Sequence, residues 1–186
     1  MADMKTDLLI ITALESELKR NALPAGVEIV YSGIGKINAA LSSMKAVDQF
    51  SPHMMINFGT AGKINPQLDG LLDIGKVIQR DMIAEPLAPR GKTPFCERPF
   101  EYHSSGKYVC GSGDSFVTSH DPWLHSLGVD VVDMELFAIA AVAHDHQIPW
   151  QSFKYITDDA NESSSEDWQA KVHHGQDLFL EKMKDM

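Results

Sequence analysis

Five polar side chains in this sequence stand where an apolar run ends or hands over to the next segment: Glu17, Thr60, Asp133, Glu135 and Asp158. Carboxylates gathered at the carboxyl ends of strands can hold a ligand or exchange protons with it, and in open α/β sheets that is where ligands bind. The densest case is Val131 to Val142, where Asp133 and Glu135 separate a β-branched run from an apolar helix-like run. A purely structural reading stays open: Asp133 caps the helix and Glu135 favours its positive end. Glu17 has a similar alternative as a solvated surface acid. Thr60 lies in Gly59-Thr60-Ala61-Gly62, read as a loop whose backbone N–H groups and hydroxyl could face an oxygen-rich ligand. Two aromatics join the candidates. Phe116, after Gly111-Ser112-Gly113, is either core or a platform for a flat ring, and Trp168 lies close in sequence to Asp158.

Other chemistries lack their signatures. His144 and His146 are spaced to point to different helix faces, and His173 and His174 are adjacent, so no metal-ligand spacing is present. No Gly-x-Ser-x-Gly elbow and no Walker loop occurs. Gly33-Ile-Gly35-Lys36 resembles the start of a dinucleotide fingerprint, but Asn38 stands where the third glycine belongs, and close packing of a turn explains it as well. No cofactor is expected.

The elements that must position these residues follow from hydrophobic pattern. Strands are expected at Asp7 to Ala13, Val27 to Ser32, His53 to Phe58, Ile74 to Ile83 (continuing into Glu85-Pro86-Leu87), Lys107 to Cys110, Val129 to Val132 and Trp150 to Ile156. Helices are expected at Leu14 to Asn21, Ile37 to Phe50, Leu136 to Ala143 and Glu166 to Lys184, with a short helical turn at Pro122 to Leu127 and Ser163 to Ser165 available as a cap. Pro86 to Gly106 has no sustained period and reads as an irregular excursion or lid. The order points to an α/β sandwich with a mostly parallel or mixed sheet.

The 186 residues fit a single domain, 1–186, and 44% hydrophobic with 23% charged residues is ordinary globular composition. A net charge of -10 argues against nucleic acid as a partner. No apolar run reaches the roughly 20 residues of a membrane helix, and the first residues do not read as a signal peptide, so a cytoplasmic protein without membrane partners is expected. Cys96 and Cys110 read as reduced thiols.

Six segments, in order, resemble the methylthioadenosine/S-adenosylhomocysteine nucleosidases of the nucleoside phosphorylase superfamily: Ala13-Leu-Glu-Ser-Glu17, Ser32-Gly-Ile-Gly-Lys36, Asn57-Phe-Gly-Thr-Ala-Gly62, Ser112-Gly-Asp-Ser-Phe116, Val132-Asp-Met-Glu135 and Ile156-Thr-Asp158. The resemblance implies a three-layer sandwich with a central mixed, mostly parallel sheet flanked by helices, and hydrolysis of an adenine–ribose bond in a homodimer. It implies that Asp158 protonates the purine at N7 and Glu17 activates the attacking water. It also implies that Glu135 accepts both ribose hydroxyls, Met134 walls the sugar, Phe116 stacks on the purine and Trp168 closes over the substrate, with Thr60 and Asp133 replacing a Ser and a Glu. The chain departs from the pattern by a shortened 86–106 region and by lacking a clear counterpart to an Arg expected beyond the Ile74 strand. A phosphate-dependent phosphorylase and a catalytically reduced nucleoside-binding protein are the alternatives. Hydrolysis is favoured over phosphorolysis because Arg20, Arg80, Arg90 and Arg98 lie outside the glycine loops.

Overall fold

The structure is a computed structural model that describes residues 6–161 and 164–184. Its centre is a mixed sheet of eight strands: β1 (Leu8–Thr12), β2 (Glu28–Tyr31), β3 (Met54–Lys63), β4 (Leu71–Gln79), β5 (Glu101–His103), β6 (Tyr108–Ser112), β7 (Val131–Asp133) and β8 (Trp150–Asp158). The helices are α1 (Lys36–Phe50), α2 (Pro122–Ser126), α3 (Leu136–Asp145), α4 (Ser164–Lys171) and α5 (Gln176–Met183). Successive residues of β1 point to opposite faces, as the pleat requires. Leu9 and Ile11 pack with α1 and α3, whereas Ile10 packs with Phe58, Phe153 and Phe179 of α5. Phe179 stacks on Phe58 with centroids 4.3 Å apart. Helices thus cover both faces of the sheet, as the sandwich reading requires.

Two sets of parallel strands make up the sheet. In one, β1 pairs β2 and β3, and β3 pairs β8; in the other, β6 pairs β4 and β7. The sets meet through antiparallel pairing of β3 with β7 and of β4 with β8. The ladder β3-β8-β4-β6-β7 therefore returns to β3. At the β3–β7 seam Gly62 pairs with Val132, which brings the carboxyl ends of the two strands alongside each other, and Gly62 also pairs with Asp158 of β8.

Several expectations are corrected. Leu14 to Asn21 is not a helix: a turn closed by the Glu17 N–H on the Leu14 carbonyl (3.1 Å) precedes a single 3-10 turn at Arg20–Ala22. A carboxylate that bonds its own turn competes with helix formation, and Glu17 accepts from the Leu14 N–H. Gly59 to Gly62 is strand, not loop, because pairing with β8 continues through it. β4 ends at Gln79 instead of running to Leu87, and the 86–106 excursion contains β5, antiparallel to β4. The closing helix is two helices. Their break contains Gly175, whose missing side chain admits Tyr155: a Cβ there would lie 2.5 Å from the Tyr155 Cβ. Of the Ser163 to Ser165 cap, Ser163 lies outside the described residues, while Ser164 is the first residue of α4 and its hydroxyl accepts from the Asn161 N–H at 2.8 Å. Among the described residues no helix is long and apolar enough to cross a membrane.

Candidate active site

The turn after β1 aims Glu17 inward, and the residue is only 3% exposed. Its Oε2 accepts from the Thr12 hydroxyl (3.2 Å) and the Leu14 N–H (3.0 Å), and its Oε1 accepts from the Thr60 N–H (3.0 Å) and hydroxyl (2.9 Å). Four donors from two neighbouring strands and their turn hold the carboxylate in one orientation, so it is not a solvated surface acid.

Asp133 ends β7 and is consumed by its neighbours. Its Oδ2 takes an ion pair from Lys154 Nζ at 2.7 Å and the Leu136 N–H at 2.8 Å, and its Oδ1 accepts from the Ser112 hydroxyl and from Cys110 Sγ. The helix-capping reading of Asp133 therefore holds alongside a place in the cavity wall. Lys154 comes from the middle of β8, is 1% exposed, and sits over Gly59 together with Glu17 Oε1. Burial alone would lower the lysine's pKa, but the Asp133 and Glu135 carboxylates outweigh it and raise it. For Asp133 burial pushes upward, and the attraction of Lys154 overrides it to leave the acid below its usual range.

Glu135, two residues on, has weaker support. Its Oε1 accepts the Gly35 N–H at 2.9 Å, which the glycine turn presents with φ of 97°. That turn thus serves an acid, not a dinucleotide. Burial, then the nearby Asp133 charge, pushes Glu135 up to about 7 against the pull of Lys154.

Asp158 ends β8, with the Ala160 N–H on Oδ1 (3.0 Å) and the Thr157 hydroxyl on Oδ2 (3.1 Å). Its room comes from Gly62, where a Cβ would fall 2.6 Å from Asp158 Oδ1. Trp168 reaches in from α4 and donates its indole N–H to the Thr60 hydroxyl at 2.8 Å. Since that hydroxyl donates to Glu17, its lone pair is what Trp168 meets. Phe116, 44% exposed and so not core, lies edge-on to Trp168 with centroids 6.5 Å apart.

One cavity gathers all eight candidates, Glu17, Thr60, Phe116, Asp133, Met134, Glu135, Asp158 and Trp168, with Ile34 and Arg80 also in its wall. Sequence reasoning missed Lys154 and misjudged Arg80. A lysine inside an otherwise apolar strand was the available signal for the first. For the second, the guanidinium reaches across from the end of β4 to the carbonyls of Gly111 and Gly113, so an arginine does stand in a glycine loop. Among the described residues no group of His, Cys, Asp and Glu is arranged to hold a metal ion.

A family model described as the phosphorylase superfamily matches residues 25–184. The 5'-methylthioadenosine/S-adenosylhomocysteine nucleosidase of Listeria innocua is 32% identical, with the alignment covering 80% of this chain and 76% of that protein. The Staphylococcus haemolyticus nucleosidase is 28% identical over 87% of this chain and 81% of its own. Among solved structures, a Helicobacter pylori nucleosidase mutant with 5'-methylthioadenosine in its active site superposes with a TM-score of 0.85 at 21% identity, covering 98% and 99% of the two chains. The native futalosine hydrolase of the same organism gives 0.86 at 21%, covering 97% of each. At such identities these two structures speak to the fold.

Glu135 carries a stability prediction. An acid raised from 4.5 to about 7 binds more protons folded than unfolded between those values, so its contribution to stability is full below about 4.5 and is lost as pH rises through about 7. Glu135→Gln keeps an acceptor for Gly35 and cannot ionise. It is expected to exceed wild type in urea stability at pH 8 by on the order of 1–3 kcal/mol, with the advantage shrinking toward pH 5. An equal difference at both pH values would show that burial does not hold this acid up.

Proposed function

The chain belongs to the phosphorylase superfamily, on its methylthioadenosine/S-adenosylhomocysteine nucleosidase branch, and from that premise we propose that it hydrolyses the N-glycosidic bond of a purine nucleoside, with 5'-modified adenosines as the substrate class. The observation that carries this reading is the convergence of Glu17, Glu135 and Asp158, from three distant stretches of chain, on one cavity that also holds Phe116 and Trp168. The purine stacks on Phe116, its N7 meets Asp158, and the ribose hydroxyls donate to Glu135. Asp158 gives its proton to N7 as the C1′–N9 bond breaks and its electron pair passes to the base. Water attacks C1′ and loses a proton to Glu17, leaving free base and ribose. The sugar passes through an oxocarbenium-like cation, stabilised by the carboxylates of the cavity wall that Lys154 does not neutralise, Asp158 among them once its proton has gone to N7.

The same electrostatics disfavour phosphate as the nucleophile. A phosphate anion would enter among Glu17, Asp133, Glu135 and Asp158, while Lys154 is committed to Asp133 and Arg80 to backbone carbonyls. We also propose a homodimer in a cytoplasmic setting. Ile34, Ile37, Leu41 and Met44 form an apolar stripe at the start and along the outer face of α1, each more than 40% exposed, and Ile34 belongs to the cavity wall. A second copy covering that stripe would complete the rim of the site.

Release of free base from a panel of nucleosides, with and without phosphate, tests the activity. We expect release from 5'-modified adenosines without phosphate, and a loss of about 10²–10⁴ in kcat for Asp158→Asn and for Glu17→Gln. Strict phosphate dependence, or full activity of either variant, would overturn the mechanism. For the dimer, Leu41→Glu is expected to convert a two-chain species to a monomer in sedimentation; a wild-type monomer would refute it.

A further inference from the structure

Arg80 has a role that the chemistry above does not use. It is 5% exposed, follows the last residue of β4, and its guanidinium spends four hydrogen bonds on a single segment. Nε donates to the Gly111 carbonyl (3.2 Å), Nη1 to the Ser115 hydroxyl (3.2 Å), and Nη2 to the carbonyls of Gly113 (2.9 Å) and Ser115. The next residue of that segment is Phe116, whose ring is 44% exposed and has Trp168 as its aromatic neighbour. A half-exposed ring cannot fix its own height by burial, so the backbone at Ser115 must do so.

The adjacent residues brace the same segment. Asp81 Oδ2 accepts the Asp114 N–H at 2.8 Å and Asp81 Oδ1 pairs with Lys36 Nζ at 2.5 Å, while Asp114 Oδ1 accepts the Lys36 N–H at 2.7 Å. These contacts tie the outside of the loop to α1. From the cavity side the Gly113 N–H donates to the Asp133 carbonyl at 3.0 Å, and Arg80 holds the part of the segment nearest Phe116 through the Ser115 hydroxyl and carbonyl.

We propose that Arg80 is a positioning residue for the nucleobase: its guanidinium straps the 111–115 segment and thereby sets Phe116 at the height where it stacks on a purine. This rests on the nucleosidase reading for the identity of the ligand. Lysine cannot replace the strap fully, because a compact ammonium lacks the planar fork that lets arginine span three carbonyls. Base–aromatic stacking is sensitive to such a displacement and is typically worth a factor of about ten or more in affinity.

The test titrates free adenine into wild type, Arg80→Gln, Phe116→Ala and the double variant, and follows amide exchange at 111–117 and in β1 and β3. Arg80→Gln and Phe116→Ala should each weaken adenine about tenfold, and the double variant should be no more than about twofold weaker than Phe116→Ala. Arg80→Lys should fall between wild type and Arg80→Gln. Exchange should accelerate at 111–117 in both Arg80 variants and stay unchanged in β1 and β3. Multiplying effects in the double variant, unchanged exchange at 111–117, or a wild type that does not bind adenine would each overturn the proposal. Because neither readout needs turnover, adenine binding with this pattern but no base release would refute the hydrolytic reading alone.

Discussion

The buried ion pair between Lys154 and Asp133 is the constraint on which the site depends. Both side chains are inside the protein, 2.7 Å apart. Taking two charges out of water is costly, and such pairs persist where further hydrogen bonds satisfy the remaining atoms. Asp133 has those bonds: the Leu136 N–H starts α3, and the Ser112 hydroxyl ties the end of β6 to the same carboxylate. The Ser112 hydroxyl in turn accepts the Phe137 N–H at 2.9 Å. One salt bridge thus joins β6, β7, β8 and the first turn of α3.

The seam between the two parallel strand sets explains why these groups meet. At β3–β7 two strands run in opposite directions with their carboxyl ends overlapping, so residues that end different strands face one cavity. Glu17 reaches it because its turn is too tight for a helix, and Asp158 because Gly62 has no side chain. Excess negative charge follows. Lys154 offsets part of it, and burial, with the remaining charge of Asp133 behind it, pushes Glu135 up to about 7.

Much of this was legible in the sequence, for physical reasons that also mark its limits. β1, α1 and α3 announce themselves because burial against a sheet demands continuous or periodic apolar residues, and seven of the eight site candidates lie near strand ends or in glycine-rich segments, with Trp168 in a helix. Local pattern could not show that Gly59 to Gly62 stays in the sheet, since the partner that keeps it there, β8, lies some ninety residues away. Nor could it show that Leu14 to Asn21 is diverted from a helix, because the Thr60 donors that hold Glu17 in the cavity come from another strand. Lys154 and Arg80 were opaque for the same reason: a buried cation is recognised by its partners, and theirs are remote in sequence.

If the Lys154–Asp133 pair organises the site, removing one charge must hurt more than removing both. The direct measurement is the urea stability at pH 7 of Lys154→Met, Asp133→Asn and the double variant. The account predicts that Lys154→Met alone costs about 3–5 kcal/mol, since it strands a buried carboxylate, and that adding Asp133→Asn recovers part of the loss. Additive losses, or a Lys154→Met protein as stable as wild type, would contradict it.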